Sequence, residues 1–258
     1  MKAALNRKRS ENHLQTAQAL EGRELQAADG GIGTLERLCF DAVSWVVRYL
    51  IADTGDWLGG RRVLVPPLAV DETSVHEPTI SVELTRRQIA GSPPLDTGRP
   101  ILRAYEARYY AYYNWPPYWE VDPLARLLLS QVPASPELVS EASTSRRYQE
   151  SHLHDSTELY GCEVMARDGA TGKVRDLVID LRYWSLRYLV IAIQDNGSIR
   201  KVLLSPAWIS HVNWSARRVN VALHRAAVMS APGFNPDGGI SREYEAQLQA
   251  HYGHPVVG

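Results

Sequence analysis

The stretch "WSLRYLVIAIQDNGSIRKVLLSP", residues 184–206, has a counterpart earlier in the same chain. "WSLRYLV" from Trp184 repeats "WVVRYLI" from Trp45, and "RKVLLSP" from Arg200 repeats "RRVLVPP" from Arg61. Both repeats lie 139 residues apart. Held without a gap, that offset brings Asp29-Gly30 onto Asp168-Gly169, Asp41 onto Asp180 and Arg86 onto Arg225. It also brings His13-Leu14 onto His152-Leu153 and Tyr105-Glu106-Ala107 onto Tyr244-Glu245-Ala246. About 30 of roughly 106 aligned positions are identical, which marks an internal duplication of a domain-sized unit. The expected organisation is a first unit over residues 11–120, a linker over 121–149 and a second unit over 150–258. The linker contains "LSQVPASPELVSEASTSRRYQ", rich in Ser, Pro and Ala and without periodicity.

Each unit reads as short strands. "LRYLVIAIQ" is a continuous β-branched run, "DNG" is a hairpin turn, and "SIRKVLLSP" is the returning strand. "GKVRDLVIDL" alternates imperfectly, as a bulged strand does, and "WISHVNW" and "RRVNVAL" give two more strands. "HRAAVMSAPGF" predicts one helical turn stopped by Pro232-Gly233, and Tyr105 and Tyr109 recur at the spacing of a closing helix. Many short strands with no long helix between them predict a mainly β chain of two tandem antiparallel barrels, each followed by a short C-terminal helix or tail.

The order "ELxGxxV…DGxxGxVxDLxID…W…RYLVI…VLLSP" resembles the PRC-barrel. That domain is shared by the cytoplasmic part of the photosynthetic reaction centre H subunit and the C-terminal half of a ribosome maturation factor. The resemblance covers both units and is clearest over residues 159–223. The tails from Arg103 and Ser241 are similar to the "SRxYExxYYxYYGWPxYW" tail of soluble double-PRC-barrel proteins from non-photosynthetic bacteria. It implies a non-enzymatic protein-interaction or assembly module. Two other readings stay open: an RNA- or ribosome-associated maturation-type factor, and an enzyme with an unrecognised site.

Composition narrows the partners. The net charge of -1 gives no whole-molecule reason to expect nucleic acid or an acidic membrane. Apolar runs such as "YLVIAI" are too short to span a bilayer, and the basic start lacks the apolar core of a signal peptide, so a cytoplasmic location is expected. The candidate interaction residues are Tyr110, Tyr112, Trp115, Tyr118 and Trp119, which have no Phe, Tyr or Trp counterpart 139 residues on. They predict a face for a protein partner, a second copy of the chain included. A base-stacking platform would need more cations than the nearby Arg103 and Arg108. The repeated arginines Arg48/Arg187 and Arg61/Arg200 are candidates for an anion site or for salt bridges to Asp41/Asp180 or Glu106/Glu245. No cofactor and no metal are expected: in "SHLHDS" only His152, His154 and Asp155 offer ligands, and the first unit keeps only His13. No nucleophile motif is present, and Cys39 and Cys162 read as structural thiols.

Overall fold

In a computed structural model, residues 13–96, 99–121, 152–195 and 197–253 are described. The linker expected over 121–149 lies outside them except for residue 121. The first unit runs β1 (Leu14–Thr16), α1 (Ala17–Leu20), β2 (Glu24–Ala27), β3 (Gly30–Asp41), β4 (Val47–Asp53), β5 (Arg62–Val65) and β6 (Thr79–Val82). It closes with α2 (Arg86–Ala90), α3 (Arg103–Tyr113) and α4 (Tyr118–Val121). The second unit runs β7 (Leu153–Asp155), α5 (Ser156–Leu159), β8 (Glu163–Ala166), β9 (Gly169–Asp180), β10 (Ser185–Asp195) and β11 (Ser198–Leu204). It continues through β12 (Ile209–Asn213), β13 (Arg218–Val221), α6 (Arg225–Met229) and α7 (Arg242–Tyr252).

The molecule is mainly β, as the short-strand pattern predicts, and its described residues form two sheets. One has the order β5-β4-β3-β2-β6 with β7 added on β3; the other has β11-β10-β9-β8-β13-β12 with β1 added on β9. Both are mixed, which corrects the expectation of purely antiparallel sheets. β2 pairs in parallel with β6, and β8 with β13. In the first unit residues 66–78 carry the chain from β5 to β6 at the far edge; in the second, residues 205–208 lead from β11 into β12, and the β12–β13 hairpin then lays β13 along β8. The pairing is open, with β5 and β6 at opposite edges of one sheet and β11 and β12 at opposite edges of the other. The units also differ: where the second has β12, the first has only a bridge between Val70 and Val82 and a tight turn at Ser74–His76.

The leading strands are exchanged. β1 pairs with β9 of the other unit, Leu14 opposite Asp180 and Thr16 opposite Val178. β7 pairs with β3, Leu153 opposite Asp41 and Asp155 opposite Cys39. These two sets of partners are related by the 139-residue offset. β3 is 12 residues long but β2 only four, so the far end of β3 offers an unpaired edge, and β7 covers it. The loops ahead of β4 and β10 repeat the symmetry: the Val47 amide donates to the Trp184 carbonyl at 2.6 Å, and the Leu186 amide to the Trp45 carbonyl at 2.7 Å. Trp45 and Trp184 both hold left-handed backbone, φ 59° and 48°, to present those carbonyls. The units therefore meet as an isologous pair about a pseudo-two-fold axis inside one chain. Most of their buried apolar side chains form one core that runs through both units, in which Phe40 stacks on Trp45 and lies 6.4 Å from Trp214.

Polar groups across this junction do not repeat. In one half Arg37 pairs with Asp155 at 3.2 Å; in the other Asp176 accepts from the Gln18 amide. Glu21 accepts hydrogen bonds from Ser156 and Tyr160, and burial raises its carboxyl above the ordinary value. The segment containing His154 and Asp155 is thus a pairing strand and a helix cap. Asp155 caps α5 in a capping box, and His154 stacks on Trp214 at 3.6 Å while bonding Glu158.

Candidate functional site: an arginine-aromatic cluster and a cleft between the units

The construction starts from a buried carboxylate. Glu106 lies one turn into α3 and is only 2% exposed. The Tyr49 hydroxyl, from β4, donates to its Oε1 at 3.0 Å, and Arg103, one turn earlier on α3, pairs with its Oε2 at 3.1 Å. Burial lifts the Glu106 carboxyl to about 7, against the opposing pull of Arg103 and of its tyrosine hydrogen bonds. The second unit repeats the Tyr–Glu pair, but with Arg187 of β10, the match of Arg48, in place of the match of Arg103. The Tyr188 hydroxyl donates to Glu245 Oε1 at 2.8 Å, and Arg187 lies 3.7 Å from the same oxygen. There Glu245 is 27% exposed.

The difference is the lid. α3 ends at Asn114, whose left-handed conformation turns the chain back, with the Trp115 amide donating to the Tyr110 carbonyl. Trp115 stacks on Tyr113 with ring centroids 4.4 Å apart, and Pro116-Pro117 carries the chain to α4. Tyr118 is laid over the Arg48 guanidinium at 3.9 Å, and Trp119 under that of Arg103 at 4.2 Å. Arg103 also donates to the Tyr118 hydroxyl at 2.8 Å. Tyr110 is buried, its ring meeting those of Tyr49, Trp115, Tyr118 and Trp119 edge-on. Desolvation pushes the Tyr110 hydroxyl up to about 12.

Four of the five candidate aromatics, Tyr110, Trp115, Tyr118 and Trp119, therefore come together as one cap on β4 and α3. It belongs to a second hydrophobic cluster, to which Leu153 of β7, among the described residues, is the one contribution of the other unit. Tyr112 does not join them. It is 44% exposed on another face of α3 and donates to the Gln88 carbonyl.

The arginines divide into two kinds. Arg61 donates to the carbonyls of Ala90 and Ser92, and Arg200 to those of Met229 and Ala231, the same positions 139 residues on. These two satisfy the carbonyls at the ends of α2 and α6, and Arg200 also pairs with Asp195 at 2.9 Å. Arg48 instead faces the aromatic cluster, and Arg187 the cleft. Arg48 bonds Ser44 and lies 4.0 Å from Asp41, whose other oxygen accepts from the Val43 and Ser44 amides.

A cleft of about 640 Å³ lies beside Arg187, where the two units meet. Arg187, Asp180, Ser205 and Ala207 line one part, and Trp45 of the first unit another. Tyr183 stands at its rim, 66% exposed. The positions matching Tyr118 and Trp119 are Val257 and Gly258, which lie outside the described residues.

Other reactive groups are engaged. The Cys39 thiol is buried beneath the first sheet, which raises it well above its ordinary value. Among the described residues no three His, Cys, Asp or Glu side chains group as metal ligands, and no helix is long and apolar enough to cross a membrane. No protein-family model matches the chain, and no curated protein matches it. Sequence reasoning passed over Tyr49 and Tyr188 and treated Glu106 and Glu245 only as ion-pair partners. The signal was available, since all four are identical across the duplication.

Proposed function

We propose that the chain is a non-enzymatic assembly module of two tandem PRC-type barrels, acting in the cytoplasm on a protein partner. The observation that carries this reading is the cleft beside Arg187. It lies where the two units meet, is rimmed by an exposed tyrosine, and is lined by Trp45, Asp180 and Pro206. Clefts of this kind on rigid sheets are common anchor points for a partner's aromatic side chains. The engagement of the buried groups also supports a binding role: Glu106 is held by Tyr49 and Arg103, and Cys39 is kept protonated.

The test uses the full chain as bait beside an Ala207→Trp variant. Ala207 is exposed on the cleft wall, so tryptophan there fills the cleft without entering the core. Proteins recovered by the wild type and lost by the variant, at unchanged Tm, are the expected result. Identical recovery by both chains contradicts the proposal. A nucleic-acid affinity that falls steeply with salt would favour the maturation-factor reading instead.

A further inference from the structure

The junction is built on a pseudo-two-fold axis, yet the side chains on that axis differ. The bridge between Val46 and Ser185 joins two positions that the 139-residue offset equates, so the axis passes through it. Glu21 and Tyr160 are a second such pair, and the Tyr160 hydroxyl donates to Glu21 at 3.0 Å. We infer that the junction is a recognition surface for unlike units, selected by Glu21 against Tyr160 and by Arg37 against Asp155, and that its partner between molecules is the complementary unit of a second copy of this chain. These four residues lie outside the cleft beside Arg187, so the surface does not depend on what the cleft binds.

The backbone does not choose between like and unlike pairing. Leu14 opposite Asp180 and Leu153 opposite Asp41 are the same register, and the two bonds to tryptophan carbonyls are also equivalent. The side chains decide. Glu21 is half-buried and takes hydroxyl donors from Ser156 at 2.6 Å and from Tyr160. Burial raises its carboxyl, and the charges of Asp176 and Asp155 add to that. A pair of first units would set Glu21 against a second Glu21, with Ala17 where Ser156 stands. Each carboxylate would lose both donors and meet a like charge. The Leu38 amide, which donates to the Ser156 hydroxyl at 3.2 Å, would face Ala17 and lose its acceptor. A pair of second units fails differently. Arg37 matches Asp176, so the Arg37–Asp155 pair at 3.2 Å would become Asp176 against Asp155, twice over. In the chain Asp176 instead meets Thr16, the match of Asp155, and the Gln18 amide. Both like pairings thus carry repulsion, and unlike pairing sets donors or opposite charge against these carboxylates. Residues 122–152 connect α4 to β7 and, at about 3.3 Å per residue, are long enough to reach a unit of either molecule. The same contacts can therefore close within one chain or reciprocally between two.

The test uses full chains, one preparation isotopically heavy, each with a protease site between Ala134 and Ser135. They are mixed in urea and refolded over a range of concentrations. The dimer is isolated by size exclusion, its linkers are cut, and the released bodies are weighed by native mass spectrometry. Closure within one chain dominates in dilute solution, because the connection holds the units at an effective concentration on the order of millimolar. Refolding at about a tenth of that value should leave on the order of a tenth of the protein as dimers, heavy and light chains mixed. Cutting should release bodies of one chain's mass, each with one N-terminal and one C-terminal fragment, and like pairs should be roughly tenfold rarer. The Glu21→Gln/Asp176→Asn variant keeps the acceptors and removes the repelling charges, so like pairs should recover most of that deficit. A dimer share that stays at zero as concentration rises, or a dimer that survives linker cutting, would overturn the inference. Like pairs as common as unlike ones in the wild type would do the same. Like pairs equally rare in the double variant would show that these residues do not select.

Discussion

Replacing Glu106 with glutamine should flatten the dependence of stability on pH. The carboxyl titrates near 7 in the folded chain, against an ordinary value of 4.5, because it is buried between β4, α3 and the aromatic cap. The folded state therefore holds its proton where the unfolded state has lost it. A group raised in this way contributes stability that is complete below about 4.5 and is lost as pH rises through about 7. At about 1.4 kcal/mol per pH unit, the gap amounts to about 3 kcal/mol. Glu21 and Asp176 are raised by burial too and act in the same direction, whereas Glu158 is lowered and acts against them. The difference between the wild-type and Glu106→Gln curves isolates the one residue, since glutamine still accepts from Tyr49. Urea unfolding at steps from pH 4.5 to 8 measures it. Relative to the variant, the wild type should lose about 3 kcal/mol over that range. Parallel curves, or a wild type that gains on the variant as pH rises, would refute the argument; the second outcome would mean that Arg103 outweighs burial.

Two further pairs of substitutions contrast the same change in different surroundings. Tyr49→Phe should destabilise by about 2 kcal/mol, because it leaves a buried carboxyl short of a donor, while Tyr188→Phe should cost clearly less because Glu245 reaches water; denaturant midpoints decide the order. Gly33→Ala should lower Tm steeply, since a Cβ there would lie 1.9 Å from the Asp53 carbonyl oxygen on a backbone at φ +129°, whereas Gly22→Ala, with open space around it, should carry only the backbone cost of its φ of +86°.

Much of the fold was legible because the sequence contains its own comparison. The hairpin of β10 and β11 followed from "YLVIAIQDNGSIRKVLL", and the bulges in β9 and β10 fall where alternation breaks. The closing helices were legible from tyrosine spacing, although Tyr105 and Tyr244 are half-buried rather than enclosed. The exchange of β1 and β7 was not legible. A three-residue strand has no periodicity, and its partner is chosen by an exposed edge on the other unit. The parallel pairs were equally hidden, because direction depends on the path of the crossover. Glu106 escaped notice as a buried group because a glutamate beside an arginine on a helix reads as a solvated face. Arg61 and Arg200 read as anion candidates because carbonyl capping across about 30 residues leaves no local pattern.

The central structural claim is that the two units are one body, joined by reciprocal strand exchange and a shared core. A protease site placed between Ala134 and Ser135, inside the linker, tests it directly. After complete cleavage the two fragments should co-elute at the mass of the uncut chain and unfold in a single transition, separating only in denaturant. Two fragments that part under native conditions, each retaining its own sheet, would contradict the account.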